Sequence, residues 1–124
     1  MQVPILKQGN CLIASIQATL TDKHLLLLKN EIIDKVGLYR STGVIIDVTS
    51  LDVIDSFATK TIQNIAEMTR LRGAETLIVG IQPDVAFAMV QMGLAFSGAE
   101  TVLDLEEALD FLRKKNLERS HYAE

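Results

Sequence analysis

The segment that most narrows the fold is Val44-Ile45-Ile46-Asp47-Val48. Its aliphatic residues run together without polar alternation, the pattern of a strand covered on both faces rather than wetted on one. Thr76 to Ile81 repeats the pattern. Between the two lies a stretch with helical spacing, in which Ala58, Ile62, Ile65, Ala66 and Thr69 fall in one row from Ser56 to about Arg72, with Gly73 as the stop. Strand, helix and strand in succession predict a sheet with helices packed on it.

The flanking sequence extends the alternation. Val3–Leu6 and Cys11–Ile16 are apolar runs separated by Lys7-Gln8-Gly9-Asn10, which reads as a hairpin. Thr21 opens a helix with Asp22 in its first turn, and Leu25, Leu28, Ile32 and Val36 form its apolar stripe. Tyr39 extends that stripe, and Leu26, Leu27 and Ile33 widen it. Pro83 and Asp84 start a helix carrying Val85, Ala86, Met89 and Val90 that closes at Gly93. A short strand at Thr101–Leu103 leads to Asp104, which caps a last helix with Leu105, Ala108, Leu109 and Leu112 inward. The expected order is ββαβαβαβα, an α/β fold with a mixed sheet, in which the loops after the parallel strands gather at one edge. Residues 1–117 are expected to form a single domain, with 118–124 a loose tail.

Composition excludes several classes. At 124 residues, 48% hydrophobic and 23% charged, the chain suits one globular core. A net charge of −4 with dispersed basic residues gives no footing for nucleic acid. Cys11 is the only cysteine, so no internal disulfide or thiolate metal cluster is expected, and its apolar run reads as buried. The first ten residues lack a secretory pattern, and no window approaches the roughly 20 apolar residues of a membrane span. The expected address is cytoplasmic.

The motifs of common enzymes are missing from the sequence. The glycines are scattered, with neither a P-loop nor a dinucleotide fingerprint, and there is no HExxH or GxSxG. His24 lies within the first helix and His121 in the tail, and neither has a nucleophile beside it in sequence. No catalytic residue, cofactor or metal is expected. Asp47, Asp52 and Asp55 cluster after a strand, where a metal- or nucleotide-binding module is the alternative. A phospho-acceptor of the receiver type would add an acidic pair after the first strand and a lysine after the last; Lys7-Gln8-Gly9 and Asp104-Leu105-Glu106-Glu107 stand there instead.

That leaves Ser56. Serine is a good helix N-cap, and a serine at a helix start is also exposed beside free amides. A phosphate there would add about −1.5 to −2 charges next to Asp52 and Asp55, changing what the edge binds without breaking the fold. Phe57 falls in a row with Thr61, Asn64 and Met68, largely polar, and reads either as a half-exposed contact for a partner or as a staple on a neighbouring loop.

Val44-Ile45-Ile46-Asp47 followed by Val53-Ile54-Asp55-Ser56 resembles the core signature of STAS domains, the anti-sigma-factor antagonists, in which a hydrophobic–Asp–Ser–x–Gly motif starts a helix. The likeness covers nearly the whole chain. The stretches IDVTSLDVIDSFATK, GIQPDVA and LDLEEAL, with a short N-terminus, are most similar to the single-domain RsbS type found in the stressosome. The resemblance implies a STAS (SpoIIAA-like) fold and a non-enzymatic scaffold that co-assembles with an RsbR-type STAS paralogue as a homo- and hetero-oligomer. It implies capture of a GHKL-type serine/threonine kinase, release on phosphorylation in a stress response, and resetting by a PP2C-type phosphatase. A stand-alone anti-sigma-factor antagonist is the alternative within the family.

Carried over by the resemblance, the acceptor is Ser56, with Thr59 as fallback and Thr49 and Ser50 in the preceding loop. Phe57 and Ala58 depart from the Ser or Thr, then Gly, of many relatives. Asp52, Asp55, Phe57 and Thr61 are the expected partner-binding residues.

Overall fold

The computed structural model describes residues 3–17 and 21–123, with side chains described through residue 119. The elements are β1 (Ile5–Gln8), β2 (Cys11–Ser15), α1 (Asp22–Tyr39), β3 (Gly43–Asp47), α2 (Ser56–Leu71), β4 (Glu75–Val79), α3 (Pro83–Gln91), β5 (Glu100–Val102) and α4 (Leu105–Ala123). This is the ββαβαβαβα order that the sequence predicts.

The five strands lie side by side in chain order. β1 and β2 form the antiparallel hairpin, with Gln8 opposite Cys11, and every later pairing is parallel. Strands that advance one place at a time through right-handed crossovers put all their connecting helices on one face. The packing agrees. Leu12, Ala14, Val44, Ile46 and Ile78 share a core with α1, α2 and α3, while Cys11, Ile13, Ile45, Leu77 and Val79 face Ala108 and Leu112 of α4. β3 therefore alternates between two cores, which is why its sequence shows no polar face.

Local chemistry sets the element ends. Thr21 caps α1 with its hydroxyl accepting from the His24 amide at 3.2 Å, and His24 Nδ1 reaches back to the Thr21 amide at 3.3 Å, so this histidine is part of a cap. α2 ends at Arg72 and Gly73, whose φ of 89° suits glycine, and the Ala74 amide donates back to the Thr69 carbonyl. Burial raises the thiol pKa of Cys11 by disfavouring the thiolate.

Several expectations need correction. Leu26, Leu27 and Tyr39 are exposed, so the buried stripe of α1 is narrow: Leu25, Leu28, Ile32 and Val36. Leu105 is partly exposed, at 38%, whereas Ala108 and Leu112 are buried. α4 does not stop near Asn116. No glycine or proline follows to end it, the helix continues to Ala123, and the Arg119 guanidinium donates to the Gly73 carbonyl at 3.0 Å. Glu124 and the side chain of His121 lie outside the described residues. Among the described residues no helix is long and apolar enough to cross a membrane.

Candidate functional site

The C-terminal edge of the parallel strands carries the segment from Asp47 to Lys60. Its backbone is tied into the sheet beyond the strand ends: the Ile16 amide donates to the Asp47 carbonyl, Val48 to Val79 and Gly80 to Val102. Asp47 then turns the chain. Its Oδ1 accepts from the Thr49 amide at 2.9 Å and from the Thr49 hydroxyl at 2.5 Å, an Asx-type turn. The Thr49 carbonyl accepts from Gln82 Nε2 at 2.7 Å, which links this loop to the start of α3.

Leu51 and Ile54 anchor the loop in the core, leaving Asp52, Val53 and Asp55 exposed. Val53 is 76% exposed. Its exposure has no mark in the sequence, since an isolated aliphatic in an apolar motif carries no outward signal.

The N-cap of α2 is Asp55, not Ser56. Asp55 has extended backbone angles, and its Oδ1 accepts from the Ala58 amide at 2.8 Å. Ser56 is the first helical residue, exposed, and among the described residues no hydrogen bond engages its hydroxyl. Asp and Ser cap equally well, so neighbouring candidates cannot be ranked by type. The carboxylate one residue earlier has the reach to the third amide of the helix.

Two other candidates are withdrawn from solvent. Thr59, the fallback acceptor, is buried at 2% exposure and its hydroxyl donates to the Asp55 carbonyl at 2.9 Å. Thr61, expected on the partner surface, is buried at 4% with its hydroxyl on the Phe57 carbonyl. α2 packs against both the sheet and α1, so its covered arc is wider than the single row read from the sequence. Phe57 stays partly exposed, at 37%. The site thus brings together Asp52, Val53, Asp55, Ser56 and Phe57 at the surface. A groove of about 210 Å³ adjoins Asp55 and Ala58, walled in part by Leu25, Leu51 and Ile62.

The three aspartates do not form a metal cluster. Asp47 is engaged by Thr49 and Asp55 by the helix start, and among the described residues no three acidic, histidine or cysteine side chains come close enough to share a cation.

Known proteins share this fold. A serine-to-glutamate variant of RsbS from Moorella thermoacetica superposes with a TM-score of 0.80 at 34% identity, over 96% of this chain and 99% of that one. A chain of the stressosome, described as a signal integration and transduction hub, superposes at 0.76 with 35% identity, over 94% and 99%. The RsbT co-antagonist protein RsbRA of Bacillus subtilis is 27% identical over 100 residues, which are 81% of this chain but 36% of that longer protein. The sequence profile described as STAS domain matches residues 2–108, from the hairpin through the loop after β3 into α4. With the strand order, the aspartate-ended β3 and the Asp-Ser start of α2 in place, the chain belongs to the STAS domain family.

Proposed function

We propose that the chain is a non-enzymatic scaffold of the stressosome type, which holds a serine/threonine kinase through the Ser56 edge and lets it go when Ser56 is phosphorylated. The observation that carries this reading is the exposed Ser56 hydroxyl, freed from capping by Asp55 and set on an edge already lined by Asp52 and Asp55. The likeness to RsbS and to a stressosome chain supports the scaffold part, and the likeness to RsbRA supports an RsbR-type paralogue as assembly partner.

In the reaction, the Ser56 oxygen attacks the γ-phosphorus of the kinase's ATP, ADP leaves, and the serine proton passes to a base on the kinase. A phosphatase of the PP2C type returns serine and inorganic phosphate by hydrolysis. The product adds about −1.5 to −2 charges at neutral pH. The positive end of α2 tolerates them, while a partner docked over Val53 and Phe57 meets a hydrated dianion. The modification therefore acts on binding and spares the fold.

The test is phosphate incorporation with a GHKL-type kinase and ATP, followed by kinase capture. Ser56→Ala should take no label and still capture the kinase, while Ser56→Asp should keep a native circular dichroism spectrum and lose capture. Labelling of Ser56→Ala, or capture by Ser56→Asp at full strength, overturns the reading.

A further inference from the structure

On the surface of α2, Lys60 is the cation one turn from Ser56. It lies four residues on, which places its Cβ about 5–6 Å from that of Ser56, and both side chains are exposed. A lysine on a helix surface is steadied where an acidic residue stands one turn earlier. Here that position is a serine. The other residues one turn from Lys60 are Phe57, Gln63 and Asn64, all uncharged. The ion pairs among the described residues are Glu31–Lys35, Asp110–Arg113 and Asp110–Lys114, so Lys60 takes part in none.

Phosphorylation would supply the missing member. A phosphate on Ser56 stands N-terminal to Lys60 at the spacing and in the order that favours an acid–lysine pair on a helix. The charge of the phosphate is larger than that of a carboxylate, and its oxygens accept charge-assisted hydrogen bonds from an ammonium group. Thr59, three residues along, is buried and offers the phosphate nothing. The opposing groups are Asp55, next in sequence, Asp52 on the same loop and Asp22, which shares the groove with Asp55.

We propose that Lys60 is the positioning residue for the modified state: it pairs with the phosphate on Ser56, offsets the repulsion from Asp52 and Asp55, and fixes where the new charge is displayed. The inference rests on Ser56 being the acceptor. It makes the Ser56–Lys60 pair, rather than the serine alone, the unit that is switched.

The test places phosphoserine at position 56 of the full chain by genetic code expansion, so that no kinase is needed. The phosphate is then titrated by phosphorus NMR. Lys60→Gln should raise its second pKa by about 0.2–0.4 units, the size expected of one surface pair. Lys60→Arg should keep the lower value, and the difference should shrink in 1 M salt. In the unmodified protein Lys60→Gln should leave the melting temperature unchanged, which a merely structural lysine would not do. Equal phosphate titrations in the parent and Lys60→Gln overturn the pairing. Failure of the acceptor assignment shows separately, as kinase labelling of Ser56→Ala.

Discussion

The Asp55 carboxylate accepts from the Ala58 amide at 2.8 Å, and that contact, one residue before Ser56, separates holding the helix from carrying the proposed modification. Were serine the cap, a phosphate would compete with the bond that starts α2. With aspartate as cap, the serine oxygen is free to change.

Asp55→Ala should therefore cost about 1 kcal/mol, the usual loss for an N-cap, and lower the melting temperature by about 4 °C. Asp55→Asn keeps a capping oxygen and should lose far less. Ser56→Ala should stay within about 0.5 kcal/mol of the parent. Urea denaturation of the three variants checks the order; a larger loss for Ser56→Ala than for Asp55→Ala would return the capping role to serine.

Thr59 separates accessibility from residue type. It is a hydroxyl three residues into the same helix, but it is 2% exposed and bonded to the Asp55 carbonyl. Thr59→Glu would bury a carboxylate without a partner and should cost several kcal/mol or prevent folding. Thr59→Val removes one hydrogen bond and should cost about 1 kcal/mol. Thermal unfolding of both, beside Ser56→Glu, makes the comparison. A Thr59→Glu protein that melts within a few degrees of the parent would mean that the position opens to solvent.

Sequence patterning carried the architecture because β3 and β4 are aliphatic on both faces and the intervening helices repeat at 3.6 residues. It also carried the location of the site, since Asp47, Asp55 and Ser56 fall where a strand ends and a helix begins. What it missed depends on neighbours far away in sequence. Thr61 is buried in a helix that packs on both α1 and the sheet, and Leu26 and Leu27 are exposed because the face of α1 they occupy has no partner among the described residues. A row read from one helix cannot report how many elements surround it. The cap was misplaced by one residue for another reason: aspartate and serine are equivalent by type, and only the reach to the third amide distinguishes them. The end of α4 was missed because a polar tail and an exposed helix have similar composition.

The remaining prediction concerns how the Ser56 loop is held from behind. Gly80, just after β4, has φ of 79°, and a Cβ built on it would collide with the Thr49 hydroxyl and lie 3.1 Å from the Thr49 Cβ. That same hydroxyl is bonded to Asp47, and the Thr49 carbonyl is bonded to Gln82. Gly80→Ala therefore meets two penalties: a left-handed backbone with a side chain, about 1–2 kcal/mol, and displacement of Thr49 from Asp47. Its urea midpoint should fall while the slope stays that of the parent. Thr49→Ala removes the hydroxyl that collides, so the double variant should lose less than the sum of the singles, the coupling expected of residues in contact. Strict additivity would mean that the backbone alone sets the cost and that Gly80 does not support the loop. If Thr49 is displaced, the strand-end turn that leads to Asp52 and Val53 loses its anchor on α3. Gly80→Ala should then also weaken kinase capture in the unmodified protein, although residue 80 lies outside the exposed edge proposed to bind it.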